Sequence, residues 1–192
     1  MNNNFLSEKI FGKQFFSKYY LVILGVILLT ISSKIYIPFF PTSMTLQTFV
    51  VYFISSFMGI LGFRAVLIYL LLGTLGLPIF SDGGGFEYIF SPMFGFLYGM
   101  LLASITIFFL LKTGLKNFTK ILMSIFSGFF IMHFIGICHL SFFIGFQKAF
   151  MNNFLPLIYG EFFKILLATL MIYFVMFIFC SYILSSARSA YF

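Results

Sequence analysis

The sequence predicts an all-α, polytopic membrane protein of one domain, with six transmembrane helices and both termini in the cytoplasm. Three observations carry this. Hydrophobic residues make up 62% of the 192-residue chain and charged residues 8%, too few to keep a water-soluble domain of this size wet. Six segments reach or approach the ~20 apolar residues that a span needs. The lysines and arginines are unevenly shared between alternate connections. With the N-terminus inside, Lys9, Lys13, Lys18, Arg64, Lys112, Lys116, Lys120 and Arg188 fall on the cytoplasmic side, the bias expected for an even number of spans. Lys34, Lys148 and Lys164 are left for the outer side or the membrane, and Asp82, Glu87 and Glu161 lie toward the outer face.

Residues 1–18 are polar and basic, a cytoplasmic N-terminal segment. No small-residue cleavage site follows the first apolar run, so that run is read as a retained helix rather than a signal peptide. The predicted spans are Tyr19–Ile37, Thr45–Gly62, Ala65–Phe80, Met93–Leu111, Ile121–Phe146 and Leu157–Leu184, followed by a cytoplasmic tail over 185–192. Tyr19 and Tyr36, near the two ends of the first span, stand where interfacial aromatic anchors sit. Pro38 and Pro41 favour an extended connection to the second span, with Thr45 as its helix cap. Gly59 to Ala65 reads as a short inside turn with Arg64 at the surface. The third span is short and interrupted by Gly73, Gly76 and Pro78, which fits a tilted or partly unwound helix. Gly95 and Gly99 in the fourth span form a small-xxx-small pair suited to close helix packing. The connection Lys112 to Lys120 makes a basic cytoplasmic patch that can face anionic lipid.

Polar residues within and between these apolar runs are the candidates for function. The stretch Leu71–Pro92 gives way to Ser81, Asp82, Gly83, Gly84, Gly85 and Glu87, and so holds two of the four acidic residues in the chain. Non-helical backbone beside apolar segments is tolerated where it meets water, lines a cavity or is covered by protein. This stretch is either the border of a binding cavity or a simple turn, and its glycine content does not separate the two. Gln47, in the first turn of the second span, offers an amide to a ligand or is an ordinary polar residue at a helix start. Glu161 and Lys164 are three apart and share a helix face. Ionisable groups at the centre of a membrane helix cost at least ~2.5 kcal/mol each and usually face a cavity or each other. Ile165–Leu184 alone is long enough to span, however, so the pair either faces inward or sits at the outer interface with Lys164 snorkelling. Facing inward, Lys164 can bind a carboxylate and Glu161 can accept from N–H donors. His133 and His139, about 240° apart around an ideal helix, do not converge on one metal. Each is read as a buried, hydrogen-bonded histidine, with His133 the one that can also face a cavity. Cys138 and Cys180 both lie in apolar runs and indicate neither a disulfide framework nor a metal site.

Several of these pieces fall into a known pattern. Pro41-x-x-x-Thr45-Leu46-Gln47-Thr48, then Tyr69-Leu70-x-x-Gly73-x-x-Gly76-Leu77-Pro78-Ile79-Phe80, Gly83-Gly84-Gly85 and Pro92-x-x-Gly95-Phe96 resemble the BioY family, the biotin-binding S components of energy-coupling-factor transporters. Gly160-Glu161-x-x-Lys164 resembles that family's glycine–acid–x–x–lysine motif, with Glu in place of the more familiar Asp. The likeness runs roughly from Pro38 to Gly99 and from Pro156 to Ala168. It implies a six-helix subunit of the cell membrane that holds biotin in a cavity near the outer surface. It also implies partnership with a membrane-embedded coupling subunit and a pair of cytoplasmic ATPases. By the same resemblance Glu161 and Lys164 are substrate contacts, with Gln47, Asp82 and Gly84 close by. No cofactor is expected beyond biotin as the transported ligand. Two departures stand out: Phe94 replaces a residue that is often small in the family, which bears on the shape of the pocket, and the first span has Gly25 but no Ala-xxx-Ala pair.

Other classes have less to stand on. There is no Gly-x-x-x-x-Gly-Lys-Ser/Thr phosphate loop, so any ATP-driven step must come from partners. No Ser/His/Asp set, His-Glu-x-x-His or acidic metal cluster suggests an enzyme. Despite a net charge of +7, no soluble basic patch offers itself to nucleic acid. The alternative within transport is an autonomous small-molecule permease working without ATPase partners.

Overall fold

Long uninterrupted runs of apolar residues have no hydrogen-bonding partner but their own backbone, and they fold as helices. The computed structural model describes residues 15–38, 44–113 and 117–189. Lys9, Lys13, Pro41 and Lys116, and the side chains of Cys180 and Arg188, lie outside what it describes. In chain order the elements are α1 (Phe15–Lys34), β1 (Tyr36–Ile37), β2 (Met44–Thr45), α2 (Gln47–Met58), α3 (Ile60–Thr74), a 3₁₀ turn (Phe86–Phe90), α4 (Phe94–Leu111), α5 (Phe118–Ile144), α6 (Phe146–Ala149), a π turn (Phe150–Phe154) and α7 (Leu155–Ser189). β1 and β2 form a two-stranded antiparallel ribbon in which Tyr36 faces Thr45 and Ile37 faces Met44.

Helices thus occupy all six predicted segments, but not equally. α4, α5 and the Leu155–Ile178 part of α7 are long and apolar enough to cross a membrane, whereas α2 and α3 are shorter apolar helices. At 1.5 Å per residue the 12 residues of α2 rise about 18 Å, short of a ~30 Å hydrocarbon core. The expected seven-residue turn between the second and third spans is a single residue. Gly59, with φ 59° and ψ −121°, turns the chain alone, and Arg64 lies within α3. The third helix stops at Thr74 rather than Phe80, because Gly76 (φ 111°) and Pro78 cannot continue it. Thr45 is not the cap of α2: it belongs to β2, and Leu46 takes the cap position with no side-chain hydrogen bond. Pro156 is the second residue of α7, directly after the π turn Phe150–Phe154, where the helical hydrogen-bond register changes.

Packing follows from small residues meeting backbone. A Cβ on Gly99 of α4 would lie 2.5 Å from the Met132 carbonyl of α5, and one on Gly95 would lie 2.3 Å from His139 Cβ. The small pair read from the sequence therefore lets α4 and α5 approach closely. Leu29, Val51, Ile54, Ala103, Ile107, Ile125, Ile165 and Ala168 fill the interior. The outside is also apolar, with Tyr20, Phe109, Met123, Phe130, Phe134, Phe163 and Phe174 exposed. A bundle apolar on both its inner and outer faces is surrounded by lipid. His139 departs from its expectation: it is half-buried, with Nδ1 3.2 Å from the Pro92 carbonyl.

Candidate ligand-binding site

The end of α1, the starts of α2, α4 and α7, and the end of α3 meet at one end of the bundle. There the first turns of α2 face the second turn of α7. Thr48 and Tyr52, one helical turn apart on α2, present hydroxyls to Glu161 of α7. Thr48 Oγ1 donates to Glu161 Oε1 at 2.8 Å, and the Tyr52 hydroxyl donates to Oε2 at 3.0 Å. Lys164, one turn along α7, donates to Oε1 at 2.7 Å and to Thr48 Oγ1 at 3.0 Å. Glu161 and Lys164 are each only 3% exposed. That number decides which way the pair points: it faces the interior of the bundle.

The network is the floor of a cavity of about 230 Å³. Its walls are largely apolar and flexible: Met44 from the ribbon, Met93, Phe96, Leu97 and Met100 at the start of α4, Met132 from α5 and Leu157 from α7. His133 also lines it, with Nδ1 3.1 Å from the Phe129 carbonyl of the preceding turn. Ser81, Asp82 and Tyr88 of the Leu75–Met93 loop close one side. Methionine suits such a wall because its unbranched chain adapts to the outline of a guest.

Four of the five residues singled out in the sequence line this cavity. Glu161 and Lys164 hold each other on its floor. Gln47 stands beside them, buried, with its Nε2 lacking a hydrogen-bond partner. Asp82 lies at the rim, its carboxylate accepting from the Tyr36 hydroxyl at 3.3 Å and the Ser81 hydroxyl at 3.2 Å. Gly84 does not line the cavity: a Cβ there would fall 2.1 Å from the Leu77 carbonyl, so it serves the fold of the loop against the end of α3. Phe94 is not in the wall either; its ring is buried against Tyr88 and Tyr98, at 6.4 and 4.6 Å between centroids. Tyr52 was not singled out, although its i, i+4 spacing from Thr48 was visible in the sequence. What hid it is that a tyrosine in an apolar helix reads as packing until the carboxylate facing it is known. Among the described residues no group of three or more His, Cys, Asp or Glu is placed to hold a metal ion.

Fold and site together define a membrane-embedded helical protein with a small polar-floored cavity at one end. Over residues 5–180 the chain matches the BioY family, and it belongs to that family. It is 34% identical over 146 residues to a probable biotin transporter BioY of Pyrococcus horikoshii, spanning 75% of this chain and 86% of that one. With the biotin transporter BioY of Thermotoga maritima the identity is 32% over 146 residues, spanning 74% and 86%. The fold is shared with the crystal structure of the S-component for biotin from an ECF-type ABC transporter. There the TM-score is 0.72 at 23% identity, over 82% of this chain and 89% of that one.

Proposed function

We propose that this protein captures biotin as the substrate-binding subunit of a vitamin uptake system in the cell membrane, and that partner ATPases energise its release inside. The observation that carries the reading is the Glu161–Lys164–Thr48–Tyr52 network on the floor of a small cavity, in a chain whose relatives are named biotin transporters. At about 230 Å³ the cavity sits below the usual 300–1,000 Å³ of ligand pockets, which limits the guest to a small molecule.

The hydrogen-bond inventory favours one way round for that guest. Glu161 Oε1 is filled by Thr48 and Lys164, whereas Oε2 has accepted one bond of its usual two. Lys164 has used two of three ammonium protons, and the Gln47 amide nitrogen has used none. The floor therefore offers two donors and one acceptor. A cyclic urea can use all three, its carbonyl accepting from both donors and one N–H donating to the carboxylate. The Glu161–Lys164 pair is neutral as a unit, so a carboxylate brought to it would be a buried charge without a counter-charge of its own. We therefore place the ureido head on the floor, the bicycle among the methionines, and the valerate tail toward the rim.

In this reading the chain crosses the membrane six times with both termini inside. Lys18, Arg64, Lys112 and Lys120 are then cytoplasmic, at the end of the bundle opposite the cavity. No residue is assigned a catalytic role, and no cofactor is assigned. Calorimetry on the purified protein against a panel of water-soluble vitamins tests the ligand: biotin alone should bind with 1:1 stoichiometry. Uptake into vesicles with and without the coupling subunit and ATPases tests the energetics. ATP-dependent accumulation only with the partners is expected; equal uptake without them would establish the autonomous permease instead.

A further inference from the structure

Of the three lysines left for the outer side or the membrane, the site above uses only Lys164. Lys34 stands in the last turn of α1, a position where a cation suits the helix dipole. Its ammonium nevertheless reaches away from its own helix. It donates to the Phe80 carbonyl and, at 3.3 Å, to the Ser81 carbonyl of the Leu75–Met93 loop. Next to it, Ser33 Oγ lies 2.8 Å from both the Thr30 carbonyl of its own helix and the Ile79 carbonyl, its one proton serving either, and the Ile79 carbonyl also accepts from the Tyr69 hydroxyl at 2.9 Å. Two residues on, the Tyr36 hydroxyl donates to Asp82. Four consecutive loop residues, 79–82, are thus held by the segment Ser33–Tyr36. The Phe80 ring pins the same stretch from below, buried against Tyr69 and Tyr88.

The other border of the cavity is tied to the same segment. The Leu46 N–H donates to the Ile35 carbonyl at 3.1 Å, and Tyr36–Ile37 pair with Met44–Thr45. Ser81 and Asp82 line the cavity from one side, Met44 and Thr45 from the other. Within this joint Lys34 supplies the only cationic donor among the described residues, and charge-assisted hydrogen bonds are about twice as strong as neutral ones.

We propose that Lys34 is a positioning residue for ligand retention: by holding the Phe80 and Ser81 carbonyls it keeps the loop where Ser81 and Asp82 close the cavity over its guest. The inference rests on the cavity being the ligand site, as proposed above. Lys34 is exposed and outside the packed interior. Its loss should therefore loosen residues 79–85 without loosening the bundle. The consequence is a faster off-rate, because a wall that opens more often releases a bound guest while still admitting a free one.

The test uses the full-length protein in lipid nanodiscs, as wild type, Lys34→Met and Lys34→Arg. Amide hydrogen exchange is read without ligand, and biotin association and dissociation by stopped flow. Lys34→Met should raise exchange over residues 79–85 selectively and increase the dissociation rate about tenfold, with association changed far less. Lys34→Arg, which can donate to the same two carbonyls, should restore both. Unchanged exchange over 79–85 overturns the proposal, as does a rise spread evenly through α2 to α7. A local rise with an unchanged dissociation rate also overturns it, since the wall then plays no part in retention. If the wild-type protein holds no biotin, the ligand reading fails by itself, and the exchange arm still decides whether Lys34 holds the loop.

Discussion

Removing the charges from the floor one at a time and then together separates what they do for the fold from what they do for the ligand. In Lys164→Met, Glu161 keeps its hydrogen bonds from Thr48 and Tyr52 but loses its counter-ion at 2.7 Å, in a place where the carboxylate is only 3% exposed. Breaking a buried pair from one side costs about 3–5 kcal/mol. Glu161→Leu should cost a similar amount by stranding the ammonium. The double variant Glu161→Leu with Lys164→Met has no stranded charge. What remains is the Tyr52 hydroxyl, fully buried and without its acceptor, and the Thr48 hydroxyl at the cavity wall. An orphaned buried hydroxyl costs about 1–3 kcal/mol, so the double variant should be more stable than either single one, and adding Tyr52→Phe should recover most of the rest. Thermal unfolding in one detergent at one pH ranks the four variants, at roughly 2–4 °C per kcal/mol for a chain of this length. Biotin calorimetry on the same samples should show binding lost in all of them, including those with restored stability. A double variant as unstable as the two singles summed would refute the claim that the charges hold each other. Wild-type affinity in the double variant would refute the claim that they hold the guest.

Gln47→Leu should leave the melting temperature unchanged or slightly raised, because it removes a buried amide nitrogen with no partner, while biotin affinity falls about tenfold on calorimetry. Gly99→Val should drive a side chain into the Met132 carbonyl and cost about 1–3 kcal/mol. Since Met132 lines the cavity, binding should weaken with it, and a variant of unchanged melting temperature would contradict the packing described. Biotin amidated at the valerate should compete for the site within about tenfold of biotin. An analogue whose ureido carbonyl is replaced by a cationic imine should lose far more, since it swaps an acceptor for a donor against Lys164 and Gln47. The reverse order in a competition assay would turn the ligand around.

What could be read from the sequence was set by how local its cause is. Apolar runs, the glycine–proline break after Gly73 and the Gly95–Gly99 pair each act within a turn or two of helix, and their consequences appear where the spacing put them. The direction faced by Glu161 and Lys164 was not local. Their spacing allowed an inward pair or an interfacial one equally, and the choice is made by Thr48 and Tyr52, more than a hundred residues earlier in the chain. Gln47 was ambiguous for the same reason. The turn at Gly59 is shorter than the sequence predicts because Arg64 is exposed on the surface of α3 itself, and an exposed arginine does not distinguish a turn from a helix surface. Gly84 was drawn into the site by a loop that does border the cavity, though it is the neighbouring Ser81 and Asp82 whose side chains do so.

The ion pair on the floor is held by the protein's own groups. An isolated acid or base in this position would have to stay solvated, and a guest would then have to displace that water or pair with a bare charge. Here Glu161, Lys164, Thr48 and Tyr52 fill most of one another's bonding capacity before any ligand arrives, and so hold the remaining donors and acceptor at fixed positions. On the proposed reading, a guest that fits would use only what is left over without separating the ion pair, so binding would require little reorganisation at the floor. The other end of the cavity is bordered by the ribbon and the Leu75–Met93 loop, and both are tied to the segment Ser33–Ile37 at the end of α1.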